Sequence, residues 1–348
     1  MGDQSFVGIF SNGVGINYGR IANNLPPPSQ VPNLLKSLTI NRVKVYDSDP
    51  EVLQAFAGTD IELIVGLGND YLQRISDPQQ AQTWIQQNIQ PYLSRTKITC
   101  INVGNEVLKE DSKSALYEYL LPAMKTMHAA LVNLGLNEQV CITTAHSFKI
   151  LASSSPPSQG VFREDMVRYI NPILEFHTQV ESPFFINAYP LRIVDPNTNL
   201  KYDNMLYAQI DAVYSAIKAL GHTDIEVKIS ETGWPSTGDE NEAGATVQNA
   251  GMYNRNLMQR MQQGQGTPAR PSQPIDIYIF ALFNEDMKNG STSERNFGLY
   301  YPNGTLVYNL GVQSYALPRI EYSSSHKNVF SICSLFIWLC GSYSLLKR

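Results

Sequence analysis

The chain contains the stretch Lys228-Ile229-Ser230-Glu231-Thr232-Gly233-Trp234-Pro235-Ser236. It starts as a short β-branched run and ends in a turn, because Pro235 cannot donate a hydrogen bond to a strand ladder. One carboxylate, Glu231, therefore stands where a buried strand is predicted to stop. A lone glutamate at a strand end is usually solvated, since charged side chains are mostly exposed. This stretch alone does not establish a functional site.

A second stretch has the same shape. Ile101-Asn102-Val103-Gly104-Asn105-Glu106-Val107 is also an apolar run that ends in a carboxylate, that of Glu106. Two carboxylates at the ends of two strands are the arrangement that glycoside hydrolysis requires.

Eight β-like runs can be recognised along the chain, and helical patterns lie between most of them. Most of the runs are near-continuous apolar segments, which is typical of parallel strands covered on both faces. Asp49-Pro50 and Asp77-Pro78 each predict a helix start, with aspartate as the cap and proline at the first helical position. The runs are 14–18, 42–47, 62–68, 98–107, 140–146, 183–189, 227–232 and 277–283; the helical segments are 29–38, 49–58, 77–89, 113–134, 163–176 (interrupted at Pro172), 203–220 and 242–263.

This alternation predicts an α/β fold, and eight units favour a closed (β/α)₈ TIM barrel over residues 13–318. An open doubly wound sheet is the alternative, but no glycine-rich phosphate loop follows the first strand. No clear helix follows the eighth strand; instead, Pro302-Asn303-Gly304 between 297–301 and 305–310 predicts a hairpin. Residues 1–12 are assigned to an N-terminal extension and residues 319–348 to a linker and hydrophobic tail.

The composition excludes some functions. The 348-residue chain has 31 acidic and 26 basic residues, a net charge of -5 and no basic block, so nucleic acid is not an expected partner. Its 19 Tyr and 13 Phe would suit sugar faces, although a core accounts for most aromatic side chains. No cysteine pair has metal-site spacing. Cys100 and Cys141 fall at the edges of predicted strands, and we expect them to be buried free thiols.

The two ends of the chain differ. The start lacks a basic segment followed by a long apolar segment, so no signal peptide is predicted. Residues 329–346 form a largely apolar run that is followed by Lys347-Arg348. This run resembles a GPI-attachment signal or a marginal membrane span, and a buried terminal helix is the alternative.

The predicted barrel brings polar groups to one mouth. Catalytic residues of such barrels lie at the carboxyl ends of the strands, and there Glu106 would face Glu231. The second, sixth and eighth strands would add carboxylates, amides and aromatic rings at the same end. The mouth contains no His/Cys cluster, so neither a metal nor a cofactor is expected. This composition is typical of a carbohydrate cleft, because rings stack on sugars while amides and carboxylates bind hydroxyls.

Five motifs carry a resemblance to a known family. They resemble the plant endo-1,3-β-glucanases of glycoside hydrolase family 17, over about residues 13 to 317, and most closely a membrane-anchored subgroup without a carbohydrate-binding module. The motifs are Gly15-Ile16-Asn17-Tyr18-Gly19-Arg20, Val43-Lys44-Val45-Tyr46-Asp47, Val103-Gly104-Asn105-Glu106, Ser230-Glu231-Thr232-Gly233-Trp234-Pro235-Ser236 and Phe280-Ala281-Leu282-Phe283-Asn284-Glu285.

The resemblance implies a retaining endo-hydrolase of 1,3-β-glucosidic bonds in callose- or laminarin-type glucan. Glu231 matches the nucleophile and Glu106 the acid/base, with carboxyl groups about 5 to 5.5 Å apart. Asn105 would bond the sugar 2-hydroxyl or orient Glu231, and Lys288 would act electrostatically. For Tyr46, Tyr189 and Trp234 a core role competes with sugar contact. The other substrate-binding candidates are Asn187, Glu285 and Glu294.

The resemblance also implies a setting and two alternatives. The family is secreted, which predicts a protein at the cell wall or outer plasma membrane, acting in cell-wall carbohydrate metabolism and plant defence. A monomer is expected. Asn289-Gly290-Ser291 and Asn303-Gly304-Thr305 are glycosylation sequons. The loop after Pro190 is shorter than the family pattern, so a glucan-binding protein with weak or no turnover is one alternative. A hydrolase of another β-glucan is the second.

Overall fold

The computed structural model describes residues 14–109, 115–189, 197–198, 200–202 and 204–310. Eight of its strands form one closed barrel, in the order β1-β10-β9-β8-β5-β4-β3-β2, and every pairing in it is parallel. The predicted TIM barrel is therefore confirmed. The strands are β1 (Val14–Tyr18), β2 (Arg42–Val45), β3 (Glu62–Leu67), β4 (Ile98–Asn105), β5 (Cys141–Ser147), β6 (Leu151–Ser153), β7 (Val161–Phe162), β8 (Phe184–Asn187), β9 (Val227–Thr232) and β10 (Ile277–Ile279).

Helices follow most barrel strands, and their starts agree with the sequence signals. Asp49 accepts a hydrogen bond from the Glu51 amide, and Asp77 accepts bonds from two amides, as N-cap residues do. The predicted interruption at Pro172 is wrong, because one helix continues through it from Glu164 to Val180. The helices are α1 (Val31–Ser37), α2 (Pro50–Ala55), α3 (Leu72–Ile75), α4 (Pro78–Asn88), α5 (Tyr117–Asn133), α6 (Glu164–Val180), α7 (Met205–Ala219) and α8 (Val247–Gln262).

Two hairpins differ from the sequence reading. The strands β6 and β7 pair antiparallel outside the barrel, in a region where the sequence predicted no strand. The hairpin predicted around Pro302-Asn303-Gly304 is reduced to a turn. There the Tyr301 amide donates to the Thr305 carbonyl, and one bridge joins Tyr300 to Leu306. Pairs this short give no periodicity for sequence reasoning to detect.

The amino-terminal end of the barrel is closed by ion pairs. Arg42 contacts both Asp276 and Glu62, and Lys228 Nζ lies 2.7 Å from Asp276 Oδ2. Lys97 Nζ lies 2.9 Å from Glu62 Oε1 at the rim of the same network. Because several charges share partners, the network holds the starts of five strands, β2, β3, β4, β9 and β10, more firmly than isolated surface pairs would.

Above this network lies an apolar layer inside the barrel. It contains Ile64, Cys100, Ala145, Phe185 and Tyr278. The ring of Tyr278 occupies the space beside Gly15, where a Cβ would approach it to 2.3 Å. Glycine is therefore required at this point of β1, since any side chain would displace the ring.

The predicted free thiols are wrong, because Cys100 and Cys141 form a disulfide. The register of β4 and β5 places the two residues side by side, with a Cα–Cα separation of 4.4 Å. That separation lies within the range a disulfide spans. The bond closes a loop with a sequence separation of 41, for which chain entropy predicts about 4 kcal/mol of stabilisation.

Some predictions lie outside the described residues. They concern the extension at 1–12, the linker and hydrophobic tail at 319–348, and the shortened loop at 191–196.

Among the described helices, none combines the length and the apolar character needed to span a membrane.

Two histidines are buried between the barrel and its helices. His146 of β5 stacks on Phe184 with 4.7 Å between ring centroids, and its two ring nitrogens have no hydrogen-bond partner among the described residues. His177 of α6 has only its Nδ1 partnered, 2.8 Å from Ser182 Oγ. Burial lowers the pKa of each histidine to about 3. Both rings are therefore neutral in the folded protein over the physiological range.

These histidines predict a loss of stability in acid. Below about pH 6.5 the unfolded chain binds protons that the folded chain excludes, so unfolding becomes more favourable as the pH falls. Each histidine contributes a slope of up to about 1.4 kcal/mol per pH unit down to its folded pKa. We expect the free energy of unfolding, measured with denaturant between pH 6.5 and 4.5, to depend less steeply on pH in His146→Phe than in the wild type. The slope against pH should be shallower by about that amount. His222→Phe, at a partly exposed site, is the control. An unchanged slope in His146→Phe would contradict the assignment.

Candidate active site

An open cleft of about 910 Å³ lies at the carboxyl ends of the barrel strands. Nine of the ten predicted site residues line it, and the tenth, Asn187, is hydrogen-bonded to Glu106. The predicted residues that line the cleft are Tyr46, Asn105, Glu106, Tyr189, Glu231, Trp234, Glu285, Lys288 and Glu294.

One carboxylate oxygen of Glu231 contacts two side chains, one from β2 and one from the residue that follows β2. Lys44 Nζ lies 3.1 Å from Glu231 Oε1, and Tyr46 Oη donates to the same oxygen at 2.8 Å. Lys44 is completely buried, and Glu231 is only 7% exposed. Burial lowers the pKa of Lys44, while the carboxylates of Glu231 and Glu106 oppose that shift.

Tyr46 is a permanent donor at this position. Burial and the negative charge of Glu231 raise its pKa well above the ordinary value, so its hydroxyl keeps its proton. The same hydroxyl lies 3.1 Å from Asn17 Oδ1, and Asn17 Nδ2 donates to the Ser230 carbonyl at 3.0 Å. Tyr46 thus links the cleft surface to the interior of the barrel.

A β-bulge sets the direction of Glu231. Between β8 and β9 the register passes from Ile186 opposite Ile229 to Asn187 opposite Glu231, so Ser230 is an extra residue. Consecutive side chains of a regular strand point to opposite faces. At the bulge, both Ser230 and Glu231 reach interior side chains, the former contacting Asn187 and the latter Lys44. Bulges next to active sites commonly redirect a side chain in this way.

Glu106 follows a second irregularity, at the end of β4. The register with β5 shifts between Asn102 and Asn105, and Glu106 itself has a φ of 49°. A non-glycine residue in this left-handed region is strained, and such strain is concentrated at functional sites. The Glu106 amide is bonded to the Ala145 carbonyl at 2.8 Å, which holds this conformation.

Burial and surrounding charges give Glu106 a different environment from that of Glu231. Burial raises the pKa of Glu106, and the nearby negative charge of Glu231 raises it further. Asn187 Nδ2 donates to Glu106 Oε1 at 3.0 Å and opposes the shift, as do Lys109 and Lys44. The net direction is upward, which favours a protonated carboxylic acid at higher pH than usual.

Asn105 is fixed from below by Asn69. The Asn105 amide donates to Asn69 Oδ1 at 2.8 Å, and Asn69 Nδ2 donates to the Asn105 carbonyl at 2.9 Å. Its own side-chain oxygen lies 3.5 Å from Lys44 Nζ. Asn105 therefore shares the ammonium group with Glu231.

The predicted polar residues beyond the eighth strand form a separate group. Lys288 Nζ lies 3.2 Å from Glu285 Oε2 and 3.9 Å from the centroid of the Phe280 ring. Glu285 Oε1 accepts from the Ile21 amide at 2.9 Å. Lys288 thus pairs with Glu285, and the cation in contact with Glu231 is Lys44. Glu294 lines the cleft in the same region.

The two remaining aromatic candidates both combine cleft exposure with packing. Tyr189 is 38% exposed and meets Phe297 edge-on, with 5.8 Å between ring centroids. Trp234 Nε1 donates to the Gly244 carbonyl at 2.8 Å, and its ring lies 5.9 Å from that of Tyr253. Trp234 therefore anchors the loop that forms one wall of the cleft.

No group of three or more His, Cys, Asp or Glu side chains within the described ranges could hold a metal ion.

Sequence reasoning missed Lys44, Asn17 and Asn69 as parts of the site. Lys44 carried a usable signal, because a lysine between two valines in a run predicted to be buried on both faces requires a partner. Asn69 follows β3 and contacts a residue far away in the sequence, so no local pattern marks it. The wall formed by 241–245 was likewise interpreted only as the start of a helix.

Comparisons with known proteins agree with this geometry. A family model described as glycosyl hydrolases family 17 matches residues 14–312. Glucan endo-1,3-beta-glucosidase 14 of Arabidopsis thaliana is 56% identical over 338 residues, covering 91% of this chain and 86% of the relative. Glucan endo-1,3-beta-glucosidase 11 of the same species is 50% identical, covering 86% of this chain and 75% of the relative.

A solved structure extends the comparison to the fold. CJP38, a beta-1,3-glucanase and pollen allergen of Cryptomeria japonica, superposes with a TM-score of 0.82 at 36% identity, covering 86% of this chain and 99% of that one. The family model and these relatives span nearly the whole barrel with its cleft, and the chain belongs to the glycosyl hydrolases of family 17.

Proposed function

We propose that this chain is a glucan endo-1,3-β-D-glucosidase, a retaining endo-hydrolase of 1,3-β-D-glucosidic bonds in callose- or laminarin-type glucan. The observation that carries the proposal is the convergence of Glu106 and Glu231 on one cleft in different electrostatic environments. Two carboxyl groups with separate roles are what retaining glycoside hydrolysis uses. The relatives are glucan endo-1,3-beta-glucosidases and a beta-1,3-glucanase, which indicates the substrate class.

Glu231 is the nucleophile in this proposal. Lys44 and Tyr46 both contact Oε1, so Oε2 is the oxygen that we assign to attack the anomeric carbon. The new C1–O bond forms as the glycosidic C1–O3 bond breaks, which gives a glycosyl-enzyme. The ammonium and phenol donors position the carboxylate before attack and bind it again as a leaving group.

Glu106 is the acid and then the base. It gives its proton to the departing O3, and its raised pKa keeps that proton available. The resulting carboxylate then takes a proton from a water molecule that attacks C1 and releases Glu231. Asn187 donates to Glu106 and is itself contacted by Ser230, the residue before the nucleophile. This connection couples the positions of the two carboxyl groups.

The cellular setting is also part of the proposal. The Cys100–Cys141 disulfide supports an oxidising compartment, consistent with secretion to the cell wall or outer plasma membrane. Asn289 and Asn303 are exposed and suit N-glycosylation, and Asn303 Oδ1 accepts from Thr305 Oγ1 at 2.7 Å. We further propose membrane attachment through 329–346, as a GPI signal or an anchor, and a monomeric state.

The first prediction of the proposed function concerns turnover. Glu231→Gln should lower kcat on laminarin by at least about 10³-fold, because the amide cannot form the glycosyl-enzyme. Release of reducing ends is the measurement. Glu226→Gln, the same change near the opposite end of β9, is the matched control and should retain activity. If the wild-type protein binds laminarin but releases no reducing ends, the protein is a glucan-binding one instead.

The second prediction separates the acid role from the nucleophile role. Glu106→Gln should slow laminarin cleavage strongly, because the sugar leaving group of laminarin needs a proton. It should spare formation of the glycosyl-enzyme from an aryl laminarioside, whose acidic phenol leaves without one. Burst-phase kinetics with both substrates would measure the difference. Equal loss with both leaving groups would argue against the acid assignment.

The third prediction concerns pH. Asn187 lowers the pKa of Glu106 by donating to it, so Asn187→Ala should raise that pKa. The alkaline limb of the kcat/KM profile on laminarin, which reports loss of the acid's proton, should therefore move to higher pH. A shift to lower pH, or an unmoved limb in an active variant, would contradict the role of this hydrogen bond.

A further inference from the structure

A second pocket of about 290 Å³ opens beside the cleft, and we name it the side pocket. It lies between the ends of β2 and β3 and the helix α4. Its lining includes Asp47, Tyr71, Arg74, Trp84, Gln87 and Asn88. Asp47 lines both the side pocket and the cleft, so the two spaces are neighbours at this residue.

The groups in the side pocket suit a neutral polyhydroxylated ring. Tyr71 is 40% exposed, while Trp84 is partly buried against the core. Aromatic faces of this kind provide apolar contact together with a polar tip. Within the described ranges, neither the Tyr71 hydroxyl nor the exposed Gln87 amide has a hydrogen-bond partner. Both are therefore available to sugar hydroxyls.

The walls of the side pocket are already formed. Ser48 Oγ donates to Asn88 Oδ1 at 3.2 Å, and Asn88 Nδ2 donates to the Trp84 carbonyl at 2.9 Å. Arg74 Nε donates to Gln80 Oε1 at 2.9 Å, which ties α3 to α4. A preformed wall loses little conformational entropy on binding, so even a small ligand can gain affinity from it.

We infer that the side pocket binds one β-glucosyl unit of the glucan whose main chain occupies the cleft. Its volume is just below the range of pockets that hold drug-sized ligands, which suits a single sugar ring. The opposite charges of Arg74 and Asp47 disfavour an apolar occupant. The unit has two sources, a main-chain residue beyond the cleft or a 6-linked branch. The inference rests on the proposed function for the identity of the sugar.

Tyr71→Ala and Gln87→Ala test the side pocket through the length and branching of the substrate. Each should raise KM about fivefold on glucans that reach the pocket while leaving kcat unchanged, since the lost contacts stabilise the bound substrate and the transition state equally. Cleavage of laminaritetraose should not change. If KM rises on both long linear glucan and branched laminarin, the pocket binds a main-chain unit. If KM rises on branched laminarin alone, the pocket binds a branch. Tyr301→Ala removes a tyrosine that is 41% exposed and lines neither space, and is the matched control.

Calorimetric binding separates failure of the inference from failure of the proposed function. Laminarin would be titrated into Glu231→Gln and into Glu231→Gln combined with Tyr71→Ala, so no turnover is needed. A larger Kd in the second protein supports sugar binding in the side pocket even if the wild-type chain cleaves nothing. Equal Kd values, or a KM on laminaritetraose that rises as much as on the long glucans, would overturn the inference.

Discussion

A fully buried ammonium group, that of Lys44, lies 3.1 Å from the carboxylate of Glu231 inside the mouth of the barrel. Burying a charge is unfavourable unless a partner and hydrogen bonds compensate for lost water. Here Glu231 and Asn105 provide that compensation, and the Tyr46 hydroxyl donates to the Glu231 oxygen that Lys44 contacts. Removing one partner of such a pair typically costs about 3–5 kcal/mol. The ion pair therefore ties the integrity of the barrel to the charge state of its cleft.

Each glutamate reaches the cleft because its strand is out of regular register with a neighbouring strand. One extra residue in β9 and a shift in β4 interrupt the ladders just before Glu231 and Glu106. The strained backbone at Glu106 is held by its bond to the Ala145 carbonyl, so the regular part of the barrel supports the irregular part. Asn187 and Ser230 then connect the two irregular segments through side chains. Irregular strand pairing at these two points therefore places both carboxyl groups in the same cleft.

The sequence predicted the barrel because eight apolar runs are separated, in most cases, by segments with helical periodicity and helix caps. It also predicted which residues surround the cleft, since they follow strands at one end of the barrel. It did not predict the Cys100–Cys141 bond, because pairing depends on strand register, and apolar parallel strands do not reveal their register. The network around Lys44 was missed for a similar reason. Its members come from different strands, and only closure of the barrel brings them together.

The Cys100–Cys141 bond has a consequence for how the protein would respond to proteases. The segment between these residues includes Glu106 and all of α5. A single peptide bond cut there would leave two fragments still joined through sulfur, and most of the barrel ladder would remain in place. Such a nicked molecule would migrate as one species on a gel until a thiol reagent was added. Clipping of this segment would therefore be invisible on a gel run without reducing agent.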